Sequence, residues 1–175
     1  MLIFRRCLIA ICVILFALLV KAEAQTNEPE ETNSKDLELK ACGPKDREVK
    51  FSADTDKSQH PTPAQPADKA LIYVLRPSMM GNKIQTKLAV NGDWKGVNRG
   101  NNYFYFTIDP GEHYFCSEAE NHSLLTLRVE AGKTYYLQQH IEMGFMKARN
   151  KIEPMTDDEG KAKLASAHLS TWTTK

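Results

Sequence analysis

The sequence predicts an all-β fold, an immunoglobulin-like or transthyretin-like antiparallel β-sandwich of about seven strands with a short C-terminal helix. Three observations predict it. Short runs rich in β-branched and aromatic residues recur along the chain, divided by turn-forming residues at intervals of roughly ten positions. One of these runs, Ala70 to Arg76 (ALIYVLR), is apolar at odd and even positions alike, as a central strand covered on both sides must be. Finally, Asn91-Gly92 separates two apolar runs, and both residues tolerate the positive φ of a tight hairpin turn. A content of 42% hydrophobic and 26% charged residues suits one folded domain rather than two.

The chain opens with Arg5 and Arg6, an apolar stretch from Leu8 to Val20, and Ala22-Glu23-Ala24, the pattern of a secretory signal peptide cleaved before Gln25. The stretch is shorter than the roughly 20 apolar residues of a spanning helix, so no stable membrane span is expected once residues 1–24 are removed. Residues 25–68 are expected to be a largely disordered leader and a proline-rich linker. Gln25 to Lys40 is acidic with little to bury, Val49 to Phe51 has the text of a short edge strand, and Pro61, Pro63 and Pro66 favour extended geometry.

The sandwich domain is expected over residues 69–175. After Ala70 to Arg76, Pro77 ends the strand and Ser78 to Gln85 reads as an irregular crossing. Leu88 to Val90 and Lys95 to Val97 form the Asn91-Gly92 hairpin. Tyr103 to Ile108 and Glu112 to Cys116 read as a second hairpin about Asp109-Pro110-Gly111, and Leu125 to Val129 with Thr134 to Leu137 as a third about Ala131-Gly132-Lys133. Ala148 to Pro154 suggests a further strand. Thr156 with Glu159 matches a capping box for a helix continuing through Lys161 to His168, although Gly160 is a poor helix former.

Removal of the leader takes Cys7 and Cys12 and leaves Cys42 and Cys116, an even pair that an oxidising compartment would join as a disulfide. A sharper reading makes Cys116 a free nucleophile near His113 and His122. The net charge of +1 and the lack of any lysine and arginine cluster argue against nucleic acid and give a phosphate-driven partner little to rest on. Gly132-Lys133-Thr134 resembles the end of a phosphate-binding loop, but Leu127 stands where the loop needs glycine, and a strand follows instead of a helix. His140 and Glu142 form half of a zinc deaminase signature without its cysteines. No motif calls for a metal or another cofactor. Asn121-His122-Ser123 has the form of a glycosylation acceptor.

The best candidate for ligand contact is the loop Asn98 to Asn102, preceded by Trp94 and followed by Tyr103. Trp94, Asn98, Arg99, Asn101, Asn102 and Tyr103 would offer stacking area beside amide and guanidinium donors, suited to sugar hydroxyls or a peptide backbone. The same asparagines and glycine could equally be turn formers, and Trp94 a packing residue.

ALIYVLRP, then LAVNG with Gly96, then YFYFTIDPGEHYF and LRVEAGKTYYL together resemble the bacterial domain-of-unknown-function family 2846 over about Lys69 to Pro154. That family is similar in strand pattern to PEGA-type surface modules. The resemblance implies a bacterial exported β-sandwich with no established activity and no catalytic residues to carry over. The expected function is therefore a non-catalytic binding or structural module of the cell envelope, periplasmic or extracellular, with an envelope protein or glycan as partner. The competing expectation is a hydrolase or metal-dependent enzyme using His113, His122 and His140 with Glu118 or Glu142.

Overall fold

A computed structural model describes residues 30–143 and 148–174; the expected leader at 1–24, with Cys7 and Cys12, lies outside them. A helix α1 (Glu30–Cys42) and one 3-10 turn (Lys45–Arg47) precede strand β1 (Phe51–Asp56). Then follow β2 (Ala70–Arg76), β3 (Thr86–Val90), β4 (Asp93–Asn98), β5 (Asn102–Ile108), β6 (Gly111–Glu118), β7 (His122–Val129), β8 (Thr134–Met143) and β9 (Ala148–Met155). Helix α2 (Asp157–Leu164) and strand β10 (His168–Thr174) complete the described chain. The strands form two sheets, one of six in the order β1-β10-β5-β2-β8-β9 and one of four in the order β4-β3-β6-β7. Among the described residues no helix is long and apolar enough to cross a membrane.

The doubly apolar β2 lies inside the six-stranded sheet and is buried along its whole length, as its sequence requires. Ala70, Ile72 and Val74 face the second sheet and pack with Leu88, Phe104, Phe115 and Leu137. Leu71, Tyr73 and Leu75 face outward, where Tyr103, Tyr136 and Ala167 join them and Leu164 of α2 covers the layer. Each large side chain so buried contributes roughly 1.5–3 kcal/mol, so the strand anchors both layers. Along one side the sheets are bridged by β10: Trp172 packs edge-on against Phe104 at 5.3 Å, and Ser170 Oγ donates to the Val97 carbonyl at 2.6 Å.

The sandwich and its C-terminal helix are as expected, but the strands number ten, and β2 with β8 and β5 with β10 run parallel. The Asn91-Gly92 hairpin forms as expected, with φ of 51° and 83° and a bulge beside Leu88. The other two expected hairpins do not form. Asp109-Pro110-Gly111 carries the chain from β5 in the large sheet to β6 in the small one, and Ala131-Gly132-Lys133 carries it from β7 back to β8. The reason is that turn residues specify a reversal and say nothing of whether the next strand joins the same sheet or the facing one. The long hairpin is instead β6 with β7, paired from Gly111 and Val129 to Glu118 and His122 across the polar loop.

Within the stretch expected to be a disordered leader and linker, 25–68, the described residues from Glu30 on include a helix, a 3-10 turn and a strand. Glu, Lys and Leu are good helix formers, and they carry α1 to Ala41 and Cys42, both buried against Ala89 and Cys116. Cys42 and Cys116 are joined as a disulfide with Cα atoms 5.0 Å apart. The edge strand expected at Val49 to Phe51 begins only at Phe51, and β1 runs on to Asp56, paired along its length with β10. The proline segment lies along the large sheet, with His60 against the Tyr103 ring at 5.2 Å and Gln65 accepting from the Thr134 hydroxyl at 2.7 Å. At the other end, the Thr156 and Glu159 capping box starts α2, but the helix stops at Leu164 and His168 begins a strand. Thr and Trp in HLSTWTT favour that strand, yet its place depends on two distant partners, β1 and β5.

Candidate functional site

The sandwich interior is apolar toward one end and polar toward the other, and the polar end supports the candidate site. Gln139 of β8 accepts from Thr86 Oγ1 and Asn98 Nδ2, each at 3.1 Å, and donates to Ser117 Oγ at 2.8 Å. Ser117 Oγ donates onward to Asn150 Oδ1 at 2.9 Å, so β3, β4, β6, β8 and β9 are tied by one buried network. Arg76, at the end of β2, is fully buried beside it. Its guanidinium donates to the carbonyls of Met80 at 3.0 Å, Gly81 at 2.6 Å and Ile84, and so holds the crossing segment 77–85 in place. Burial first, and the nearby Arg99 charge second, pull the Arg76 pKa down to about 10, so it stays a cation at neutral pH.

Over this end lies a cleft of about 390 Å³ built by four separate stretches. The end of β1 brings Thr55 and Lys57, the crossing brings Asn82 and Lys83, the β4–β5 loop brings Arg99, Asn101 and Asn102, and β10 opens with His168. Among the described residues no aspartate or glutamate lines it. Alternation along β1 sends Asp54 and Asp56 to the side opposite Thr55. Among the described residues Lys57, Lys83 and Arg99 form no ion pair; Arg99 Nη1 makes one long contact, 3.4 Å to the Ala53 carbonyl. Asn101 holds the walls together: with φ of 59° it bonds the Arg76 carbonyl through its N–H at 2.8 Å, and its own carbonyl accepts from His168 N at 2.9 Å.

Of the six ligand residues expected from sequence, the structure brings three together, Arg99, Asn101 and Asn102, and Asn102 is bonded to the Thr55 hydroxyl at 2.9 Å. Asn98 is buried in the interior network, where it also donates to the Val74 carbonyl at 3.1 Å. Tyr103 is buried on the outer face of the large sheet, and that burial pushes its hydroxyl up to about 12. Trp94 stands elsewhere, on the small sheet, with Lys87 Nζ 4.9 Å above its ring. Alternation explains the division, since adjacent strand residues point to opposite faces. Sequence reasoning missed Thr55, Lys57, Asn82, Lys83 and His168. They form no linear cluster, so only the topology reveals them.

The residues of the expected enzyme are dispersed. His113 is held between the Asn91 amide and the Asp109 carbonyl, each at 2.8 Å. His122 pairs with Glu38 and, at 3.4 Å, with Glu118, while Glu118 also binds Lys87 at 2.6 Å. His140 and Glu142 lie on β8 in the other sheet. Among the described residues no three His, Cys, Asp or Glu side chains gather as metal ligands would. With Cys116 in the disulfide, its thiol is not available as a nucleophile. A larger hollow of about 690 Å³ beside α2 has charges of both signs that neutralise one another, Lys133 on Glu130 at 2.8 Å and Lys161 on Asp157 at 3.6 Å. It lacks the single sign that marks the cleft.

Residues 66–151 match the family described as a protein of unknown function, DUF2846. The domain belongs to that family. The match runs from the end of the proline segment through β8 into β9, so the DUF2846 region contains Asn82, Lys83, Arg99 and Asn101, whereas Thr55, Lys57, His168 and Cys42 lie outside it. An uncharacterized protein of Haemophilus influenzae is 27% identical over 100 residues, 57% of this chain and 60% of that protein. The matched stretch thus spans less than two thirds of the relative. No solved structure matches the chain.

Proposed function

We propose that this DUF2846 protein is an exported, non-catalytic binding module of the bacterial cell envelope, and that it recognises an envelope component through the cleft at the polar end of its sandwich. The cleft carries the reading. It presents cations without carboxylate partners among the described residues, on a scaffold fixed by the Gln139 network, the Arg76 carbonyl contacts and the bond from Asn101 Nδ2 to the Ser166 carbonyl at 3.1 Å. Export is supported by the leader pattern at residues 1–24 and by the Cys42–Cys116 disulfide, a bond that persists in oxidising compartments.

The test is an affinity pulldown from native envelope extract with the exported chain, an Arg99→Ala/Lys83→Ala variant and a Trp94→Ala variant. The expected result is one component captured by wild type and Trp94→Ala and lost from the double variant. Equal capture by all three would move recognition away from the cleft. Mass spectrometry of the exported material is expected to find Gln25 at its start, and an intact N-terminus would replace free export with an anchored form.

A further inference from the structure

We infer that the cleft takes a phosphomonoester carried on a sugar-sized body, with Lys57, Lys83 and Arg99 on the phosphate and the amides of Asn82 and Asn101 on the phosphate edge or sugar hydroxyls. This rests on the reading of the cleft as the recognition surface and names the chemistry it selects. The chain is nearly balanced in charge, with 23 lysines and arginines against 22 acidic residues. Several lysines elsewhere find carboxylates: Lys69 on Asp109 at 2.7 Å, Lys133 on Glu130 at 2.8 Å, Lys151 on Glu153 at 2.6 Å. The cleft is the place where three unpaired cations face one hollow and His168 adds a further donor. Buried Arg76 behind them has only carbonyl partners, so its charge adds to the positive field instead of cancelling it.

The number and kind of cations decide the ligand. A single carboxylate would satisfy one of them and leave two in mutual repulsion. A phosphomonoester carries about 1.5 to 2 negative charges and three acceptor oxygens, matching a guanidinium fork and two ammonium groups. The volume, about 390 Å³, lies within the range of roughly 300–1,000 Å³ typical of small-molecule sites, and leaves room for a body beyond the anion. Since the cations come from three stretches far apart in sequence, the site is complete only in the folded domain.

The experiment titrates the exported chain with glucose 6-phosphate, inorganic phosphate, glucuronate and glucose, followed by calorimetry and by backbone amide shifts. Glucose 6-phosphate is expected to saturate, to shift the amides of Asn82, Lys83, Arg99 and Asn101, and to bind at least tenfold more weakly to Arg99→Ala and to Lys57→Ala. Lys57 is exposed, so its removal leaves the fold intact and keeps the test open should Arg99→Ala lose structure. Inorganic phosphate is expected to bind more weakly, and glucose not at all. A second arm repeats the envelope pulldown with phosphatase-treated extract, and loss of capture there assigns the phosphate to an envelope polymer instead of a free sugar. Saturation in the first arm or loss of capture in the second supports the inference. It is overturned if glucose 6-phosphate gives no saturable shift and phosphatase leaves capture unchanged. If capture then still depends on Arg99 and Lys83, the cleft remains the recognition surface and only the phosphate assignment falls.

Discussion

Replacing Gly160 by alanine sets two opposed effects against each other. In the interior of a helix, glycine to alanine is worth about 1 kcal/mol in favour of folding. Here the added methyl would lie 2.1 Å from Tyr136 Cγ, 2.5 Å from its Cβ and 2.6 Å from Cδ1. These atoms are the root of the side chain, so no rotation of the ring relieves the overlap. Nor can Tyr136 withdraw easily, because it stacks on Tyr73 at 5.4 Å with planes 9° apart. Either the core absorbs the strain, at a cost of about 1–3 kcal/mol, or α2 lifts and exposes the layer of Leu71, Tyr73 and Tyr136 it covers, at roughly 1.5–3 kcal/mol for each large side chain uncovered. Less the propensity gain of about 1 kcal/mol, the route on which the core absorbs the strain leaves a net loss of up to about 2 kcal/mol. Urea unfolding measures it, with Ala162→Gly, exposed on the same helix, as the comparison that registers propensity alone. A Gly160→Ala protein as stable as wild type, or more so, at an unchanged denaturant slope would refute the close approach of α2 to Tyr136.

Three further outcomes are expected. Removing the disulfide with Cys42→Ser and Cys116→Ser opens a loop whose ends are 74 positions apart, and the chain-entropy model gives a loss of about 4 kcal/mol, read by thermal unfolding with and without reductant; a loss below about 1 kcal/mol would show that α1 is held without its bridge. Arg76→Ala leaves the carbonyls of Met80, Gly81 and Ile84 without their donor and is expected to cost about 2–3 kcal/mol, together with faster hydrogen exchange through residues 77–85; an unchanged exchange rate there would contradict the assigned contacts. The hydrogen bond from Lys69 holds Asp109 below its ordinary value of 3.8 and raises Lys69 above 10.5. A depressed acid stabilises above its unfolded pKa and loses that contribution as pH falls through the folded one, so Asp109→Asn should flatten the acid limb of stability below about pH 4. An acid limb identical to wild type would remove the pair from that account.

How far the fold could be read from sequence depends on the distance over which each signal acts. Local signals served well: ALIYVLR is buried on both faces, Asn91-Gly92 is a hairpin, and Thr156 with Glu159 caps a helix. Partnership between strands was not legible, because Asp109-Pro110-Gly111 reverses the chain equally well within a sheet and between sheets. β10 had no counterpart among the expected elements beyond His168, the last residue of the expected helix, because HLSTWTT is short and its partners lie far away in the chain. At the site, Arg99, Asn101 and Asn102 were legible as a polar loop. Asn98 was not separable from them, since its burial depends on Gln139, and Lys57, Lys83 and His168 join only through tertiary structure.

The insertion of β10 between β1 and β5 orders events in time. β1 pairs in the sheet only with β10, from Phe51 opposite Thr174 to Asp56 opposite Leu169, and β10 is made after every other strand described. A ribosome therefore delivers β1 long before its partner exists. Until β10 arrives, β5 carries an open edge, and the wall that Thr55 and Lys57 lend to the cleft has no sheet to join. The cleft is thus the part of the fold assembled last.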